Sequence, residues 1–196
     1  MEANMYKTTG EAKDALIANA TKFIGYIEKA SNKDLNGFTD NIGNKNFTWF
    51  AKYLTDNGVN CPNGYAWCDT FCDALMLKTF GKELASKMIG GFSFYTVDSA
   101  TKFKKMGRLI ENKSEITRGD QIFFEAIPAG EKSKRICHTG FVISVVDGII
   151  YTIEGNTSGG VKFEREGGRV AMKSYKVTST YIKCAGRPDY SLAVVK

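Results

Sequence analysis

Five cysteines and one histidine hold most of the nucleophilic and proton-transfer potential of this sequence. Two of the thiols lie in the run Gly64-Tyr65-Ala66-Trp67-Cys68-Asp69-Thr70-Phe71-Cys72. Trp67, Phe71 and Leu75 recur at helical spacing, so a helix begins inside that run, just after the turn residues Asn60-Cys61-Pro62-Asn63-Gly64. Cys68 falls in its first turn. Unpaired N–H groups and the positive end of the helix dipole favour a thiolate there, and the same amides can hold an oxyanion. Cys72, four residues on, shares the face. Zinc would need two more ligands, and Cys137 and His138, as neighbours on a strand, point to opposite faces. A 68–72 disulfide is disfavoured, because same-face helical Cβ atoms lie about 5–6 Å apart and a bridge prefers about 3.8 Å. Cys61, Cys72, Cys137 and Cys184 read as small core or loop thiols. Cys68 is either a fifth such thiol or a nucleophile.

A nucleophilic thiol needs a base, and His138 is the one imidazole. It opens the β-rich run Thr139–Val146, which turns at Asp147-Gly148 and returns through Ile149–Asn156. Two registers compete. A two-residue loop pairs Val146 with Ile149 and mixes apolar with polar residues on both faces. A three-residue loop, Val146-Asp147-Gly148 with a bulge at Gly148, puts Phe141, Ile143, Val145, Tyr151 and Ile153 on one face. His138, Gly140, Ser144, Thr152, Glu154 and Asn156 then share the other face with Val142 and Ile150. Segregation favours the second register. It places His138 opposite Asn156 with Glu154 on the diagonal, within side-chain reach. An acid or amide oxygen beside an imidazole fixes its tautomer and orientation. The other reading of the same residues is a polar cluster on the exposed side of a sheet.

The elements around these residues divide in two. Thr8 and Glu11 have capping-box spacing, and Leu16, Ala20, Phe23 and Ile27 continue a helix over about residues 9–29. Phe47, Phe50, Ala51 and Leu54 give a second helix that stops near Gly58. The third, holding Cys68, ends by Gly81, and shorter ones fit 82–89 and 96–106. After Arg118-Gly119-Asp120, read as a turn, the chain becomes β-rich: QIFFEAI, HTGFVISVV, IIYTIEG, GVKFERE and YIKCAG. Helices first and strands second imply α+β, with N-terminal helices packed on a C-terminal antiparallel sheet.

The 196 residues fit one domain, with residues 1–45 as a helical extension packed on a core at 46–190. The chain is 43% hydrophobic and 24% charged, with a net charge of +6. No apolar run is long enough to span a bilayer, so no membrane insertion is expected. The start lacks a basic segment followed by an apolar one, so synthesis in a cytoplasm without a secretory signal is expected. The odd cysteine number shows no disulfide framework. A basic surface suits nucleic acid, anionic lipid or an acidic wall polymer. No long Lys/Arg block or zinc-finger or RNP-type motif is present, so nucleic acid is not expected.

Taken together, YAWCDTF, RGDQIFF, CHTGFVISV and YTIEGNTS resemble the CHAP family, the cysteine, histidine-dependent amidohydrolases/peptidases, over about residues 45–190. The N-terminal helix and GRPDY also resemble small lysin-type members from phages of Gram-positive bacteria and their hosts. The resemblance implies a papain-like α+β fold and cleavage of an amide bond in bacterial peptidoglycan, at the cell wall. It puts the nucleophile on Cys68, the general base on His138, the orienting acid on Glu154 and an accompanying amide on Asn156. It implies an oxyanion hole near the Cys68 amide. Tyr65, Trp67 and the loop that Thr157 opens, Thr157–Gly160, are expected to shape the substrate groove. Some members bind calcium through an acidic loop before the cysteine. Here that stretch, DNGVNCPNG, has Asp56 as its one carboxylate, so neither metal nor other cofactor is expected. The competing readings are an NlpC/P60-type or protein-directed papain-like peptidase, and a non-catalytic wall-binding or virion module.

Overall fold

The computed structural model describes residues 5–128, 130–160 and 163–195. Helices α1 (Thr9–Thr21), α2 (Trp49–Asp56), α3 (Cys68–Phe80), α4 (Lys82–Ile89) and α5 (Thr96–Lys105) precede nearly all of the sheet. The strands are β1 (Leu109–Ile110), β2 (Gln121–Ala126), β3 (Arg135–Val146), β4 (Ile149–Thr157), β5 (Arg169–Lys176) and β6 (Ile182–Gly186). They form one sheet in the order β1-β6-β2-β3-β4-β5, antiparallel at every pairing. The class is α+β. No helix among the described residues is long and apolar enough to cross a membrane.

Helix α3 is the centre of the molecule. Of its residues only Lys78 escapes full burial. It packs with α1, α2 and α4 over one face of the sheet, where Phe123, Phe141, Ile153, Val170 and Cys184 meet it. Ala12, Leu16 and Ala20 of α1 belong to that same core. The opposite face carries a second core of Ile122, Phe124, Val142, Ile150, Tyr175 and Ile182. Phe124 on β2 and Tyr175 on β5 are three strand spacings apart, about 14 Å in a flat sheet. Their ring centroids lie 4.7 Å apart, so the sheet curls and closes that face on itself.

Several elements differ from the sequence expectation. Thr8 caps the first helix by accepting from the Glu11 N–H, and Glu11 reaches back one residue past the capping-box position, to the Lys7 N–H. The first helix nevertheless ends at Thr21 and not near 29. Gly25 turns the chain at φ +88°, and residues 25–29 pair with other segments: Gly25 and Tyr26 with Val170, Ile27 with Arg169, Lys29 with Ile42 and Phe47. Tertiary pairing overrides helix propensity there. Residues 1–45 are therefore helical only over α1 among those described. Within GVKFERE, Gly160 and Phe163–Glu166 form no strand, and Val161 and Lys162 lie outside the described residues. The fifth strand is instead Arg169–Lys176.

The β3–β4 hairpin combines both registers considered above. Its loop has two residues, Asp147 at φ +49° and Gly148 at φ +72°, and Val146 pairs with Ile149. That is the left-handed two-residue turn that matches strand twist. The expected bulge at Gly148 does not occur. A bulge lies between Val142 and Ser144, and beyond it Phe141 pairs with Ile153 and Val142 with Thr152. The site end of the hairpin thus keeps the face-segregating register, with the extra residue moved up the strand.

The RGD tripeptide is the turn into β2. Gly119 takes φ +87°, and Arg118 forms an ion pair with Asp14. Asp120 is fully buried, held at 2.9 Å through each oxygen by Arg187 and at 2.8 Å by the Thr117 N–H. Two of the separated motifs, RGDQIFF and GRPDY, are joined by this bidentate pair.

Candidate active site

His138 and Glu154 are both fully buried. The imidazole Nε2 lies 2.8 Å from Glu154 Oε2. Glu154 is itself held: Thr152 donates to Oε1, and the Tyr175 hydroxyl donates to Oε2 at 3.3 Å. Thr152 and Glu154 are two apart on β4 and so share a face, while Tyr175 reaches in from β5. Gly140 makes room for the carboxylate. A Cβ there would come within 2.5 Å of Glu154 Cγ. The imidazole packs in a three-ring cluster with Phe124 and Phe163, each 5.8 Å away by ring centroid. This is an enclosed polar core and not the solvated cluster that was the alternative.

With Nε2 engaged, Nδ1 is the ring nitrogen that remains. It is buried and lacks a hydrogen bond of full geometry. Cys68 nevertheless acts strongly on the ring. Burial works to lower the His138 pKa, but hydrogen bonding and charge from Cys68 and Glu154 overcome it and raise the value to about 9. Cys68 thus acts on the ring electrostatically, with no hydrogen bond closed to Nδ1. Catalytic hydrogen bonds commonly stay loose until substrate is bound, and the proximity is what matters for proton transfer.

Cys68 is the first residue of α3, and no side chain caps that helix. Its first N–H groups have no intrahelical acceptors. Gly155 lets β4 approach this turn, since a Cβ there would fall 2.6 Å from Phe71 Cβ and 2.9 Å from Trp67. Cys68, His138 and Glu154 thus come from α3, β3 and β4. The other thiols are free as well. Burial pushes Cys61 and Cys184 up to about 11 and Cys72 well above the ordinary value, which keeps them protonated and unreactive. Among the described residues no group of three or more His, Cys, Asp or Glu side chains is placed to hold a metal ion.

The remaining sequence-assigned residues sit as follows. Asn156 is buried in a left-handed conformation, φ +56°. Its oxygen accepts from the Gly168 N–H at 3.3 Å and its Nδ2 has no partner, so it shapes the β4–β5 connection and makes no hydrogen bond to the ring. Glu154 alone orients the imidazole through a direct bond. Trp67 is 1% exposed and donates to Glu28 at 2.9 Å, which gives it a place in the aromatic core and no open face for a groove. Thr157 is also buried and donates to the Glu164 carbonyl at 2.8 Å. Tyr65 is exposed. Thr152 lies on the face that period-two alternation gives it beside Glu154, and its bond to the carboxylate is what the structure adds. Tyr175 and Phe163 were not anticipated, because they lie in a stretch whose strand was misplaced.

No protein-family model matches the sequence, and no curated protein matches it. Among solved structures, the crystal structure of Ly7917 matches with a TM-score of 0.50 at 10% sequence identity. The match covers 94% of this chain and 63% of that one, so this chain spans less than two thirds of Ly7917. At that identity the likeness is one of fold alone.

Proposed function

We propose that the protein is a papain-like cysteine hydrolase of CHAP type that cleaves an amide bond of bacterial peptidoglycan. The observation that carries the proposal is the enclosed Cys68–His138–Glu154 constellation, with the thiol at an uncapped helix start and the imidazole clamped by a buried acid. Nucleophile, base and orienter are the three parts that thiol catalysis requires. The peptidoglycan substrate rests on the four-motif resemblance, and the net charge of +6 suits adsorption to anionic wall polymers.

In the mechanism, His138 Nδ1 takes the Cys68 proton. The thiolate attacks the amide carbonyl, forming a C–S bond. The carbonyl oxygen becomes an oxyanion that the free N–H groups at the start of α3 can hold, each such donor being worth about 3 kcal/mol. His138 returns its proton to the departing amine as the C–N bond breaks. Water then hydrolyses the thioester, with His138 taking a proton from it. Glu154 keeps the ring oriented and offsets its charge in both halves.

Mass spectrometry of digested peptidoglycan tests the proposal. New amine and carboxyl termini name the bond. Intact muropeptides alongside casein cleavage would transfer the activity to proteins. Adsorption to walls with no new termini would leave a binding module.

A further inference from the structure

Cys68 and His138 reach the site from different layers, one on α3 and one on β3. Misplacing a reacting group by about 1 Å costs on the order of 100-fold in rate, so the two layers must be locked in register. The residues that follow each catalytic group are bridged by one side chain. Gln121, on β2, donates from Nε2 to Asp69 Oδ1 at 3.0 Å and to Thr139 Oγ1 at 3.2 Å. An amide nitrogen has two hydrogens, and here one goes to each layer. The chain continues at both ends. Thr139 donates to the Ile122 carbonyl at 2.8 Å, and Asp69 Oδ2 accepts from Ser99 on α5 at 2.7 Å. Gln121, Asp69 and Thr139 are all buried.

We propose that Gln121 is a positioning residue of the cysteine–histidine centre, its side-chain amide setting the approach of Cys68 to His138 by tying Asp69 to Thr139. This rests on reading Cys68 and His138 as the catalytic pair and adds what fixes their spacing. The residue type follows from its partners. Asp69 needs donors: burial pushes its carboxyl up to about 6, held from going higher by Ser99 and Gln121. It is therefore an ionised acceptor at neutral pH. Methionine would fill the volume and donate nothing. Glutamate would set a second acid against Asp69.

Alkylation of Cys68 by iodoacetamide, read by peptide mass on the full chain from pH 5 to 9, tests this without any substrate. His138→Ala sets the unpaired baseline, and wild type should exceed it below pH 7, where the imidazolium sustains the thiolate. Gln121→Met, with melting temperature matched by choice of assay temperature, should lose at least about tenfold of the rate at pH 6. Gln121→Glu, whose protonated carboxyl can donate to one layer but not to both, should already fall below wild type at pH 5 and drop further by pH 8 as that carboxyl ionises. On peptidoglycan fragments kcat should drop with KM unchanged. Wild-type pH profiles in both Gln121 variants overturn the proposal. If Gln121→Met does not fold, Gln121→Glu decides alone, read at each pH where circular dichroism shows it folded. A His138→Ala variant that alkylates like wild type removes the catalytic pairing itself, and the positioning role with it.

Discussion

A buried imidazole ordinarily gives up its proton, because burial disfavours the charged form. His138 keeps its proton to about pH 9 because Cys68 and Glu154 outweigh that cost. The imidazolium should therefore persist well past neutrality, and the alkaline limb of kcat/KM should fall near pH 9. Glu154→Gln keeps an acceptor and removes the charge, so that limb should move down by at least about one unit. A limb that stays in place would mean that Glu154 does not act on the ring. Cys68→Ala should fold and lose activity by a factor of about 1,000 or more, measured as turbidity loss of a wall suspension. Cys72→Ser should remain active, because its buried, protonated thiol takes no part; an inactive but folded Cys72→Ser would move the chemistry to that thiol.

Strands and helices come close enough to assemble the site only where glycine permits. Gly155→Ala would drive a methyl into Phe71 and Trp67, parting β4 from the start of α3. It should cost about 1–3 kcal/mol by denaturant unfolding, as overpacking does, and should lower activity beyond what the lost stability explains. Gly159→Ala is the control, since its Cβ would meet Arg169 no closer than 3.6 Å. Equal effects at both positions would refute the close-approach argument. What was legible in the sequence follows the same logic. Helix α4 was bounded correctly by Gly81 and Gly90, which take φ +78° and +74°. The His138–Glu154 contact followed from period-two segregation, which survived even though the loop length was misjudged. The end of α1 was invisible, because it depends on pairing with Val170 and Arg169 far along the chain. Strand β5 was hidden by Arg169, Lys173 and Lys176, which break the apolar alternation although Lys173 is itself buried. Gln121 could not be found at all, since its role exists only once β2, β3 and α3 are side by side.

At the scale of the whole molecule, the buried ionisable groups set how stability varies with pH. Asp69 holds its proton to about pH 6 when folded, against 3.8 when unfolded, and Asp73 four residues on is raised as well, by burial and by Asp69. Each contributes stability that is present below its unfolded pKa and is lost as pH rises through its folded one. His138 behaves likewise over a higher window: its contribution is present below 6.5 and lost as pH rises through about 9. The two windows follow one another, so stability should decline from about pH 5 to pH 9. Below that range the positive charge, already +6 at neutrality, grows as exposed carboxylates take up protons, and self-repulsion opposes further gain. The maximum should therefore lie near pH 5, far from the isoelectric point near 9.0. Melting temperatures by circular dichroism across pH 4–9 should show this decline. Asp69→Asn should flatten the part between about pH 4 and 6, and the His138 contribution should remain above pH 6.5. A melting temperature that rises between pH 5 and 9 would mean that these buried groups do not govern the balance, and that the carboxylates of α3 are better solvated than their burial implies.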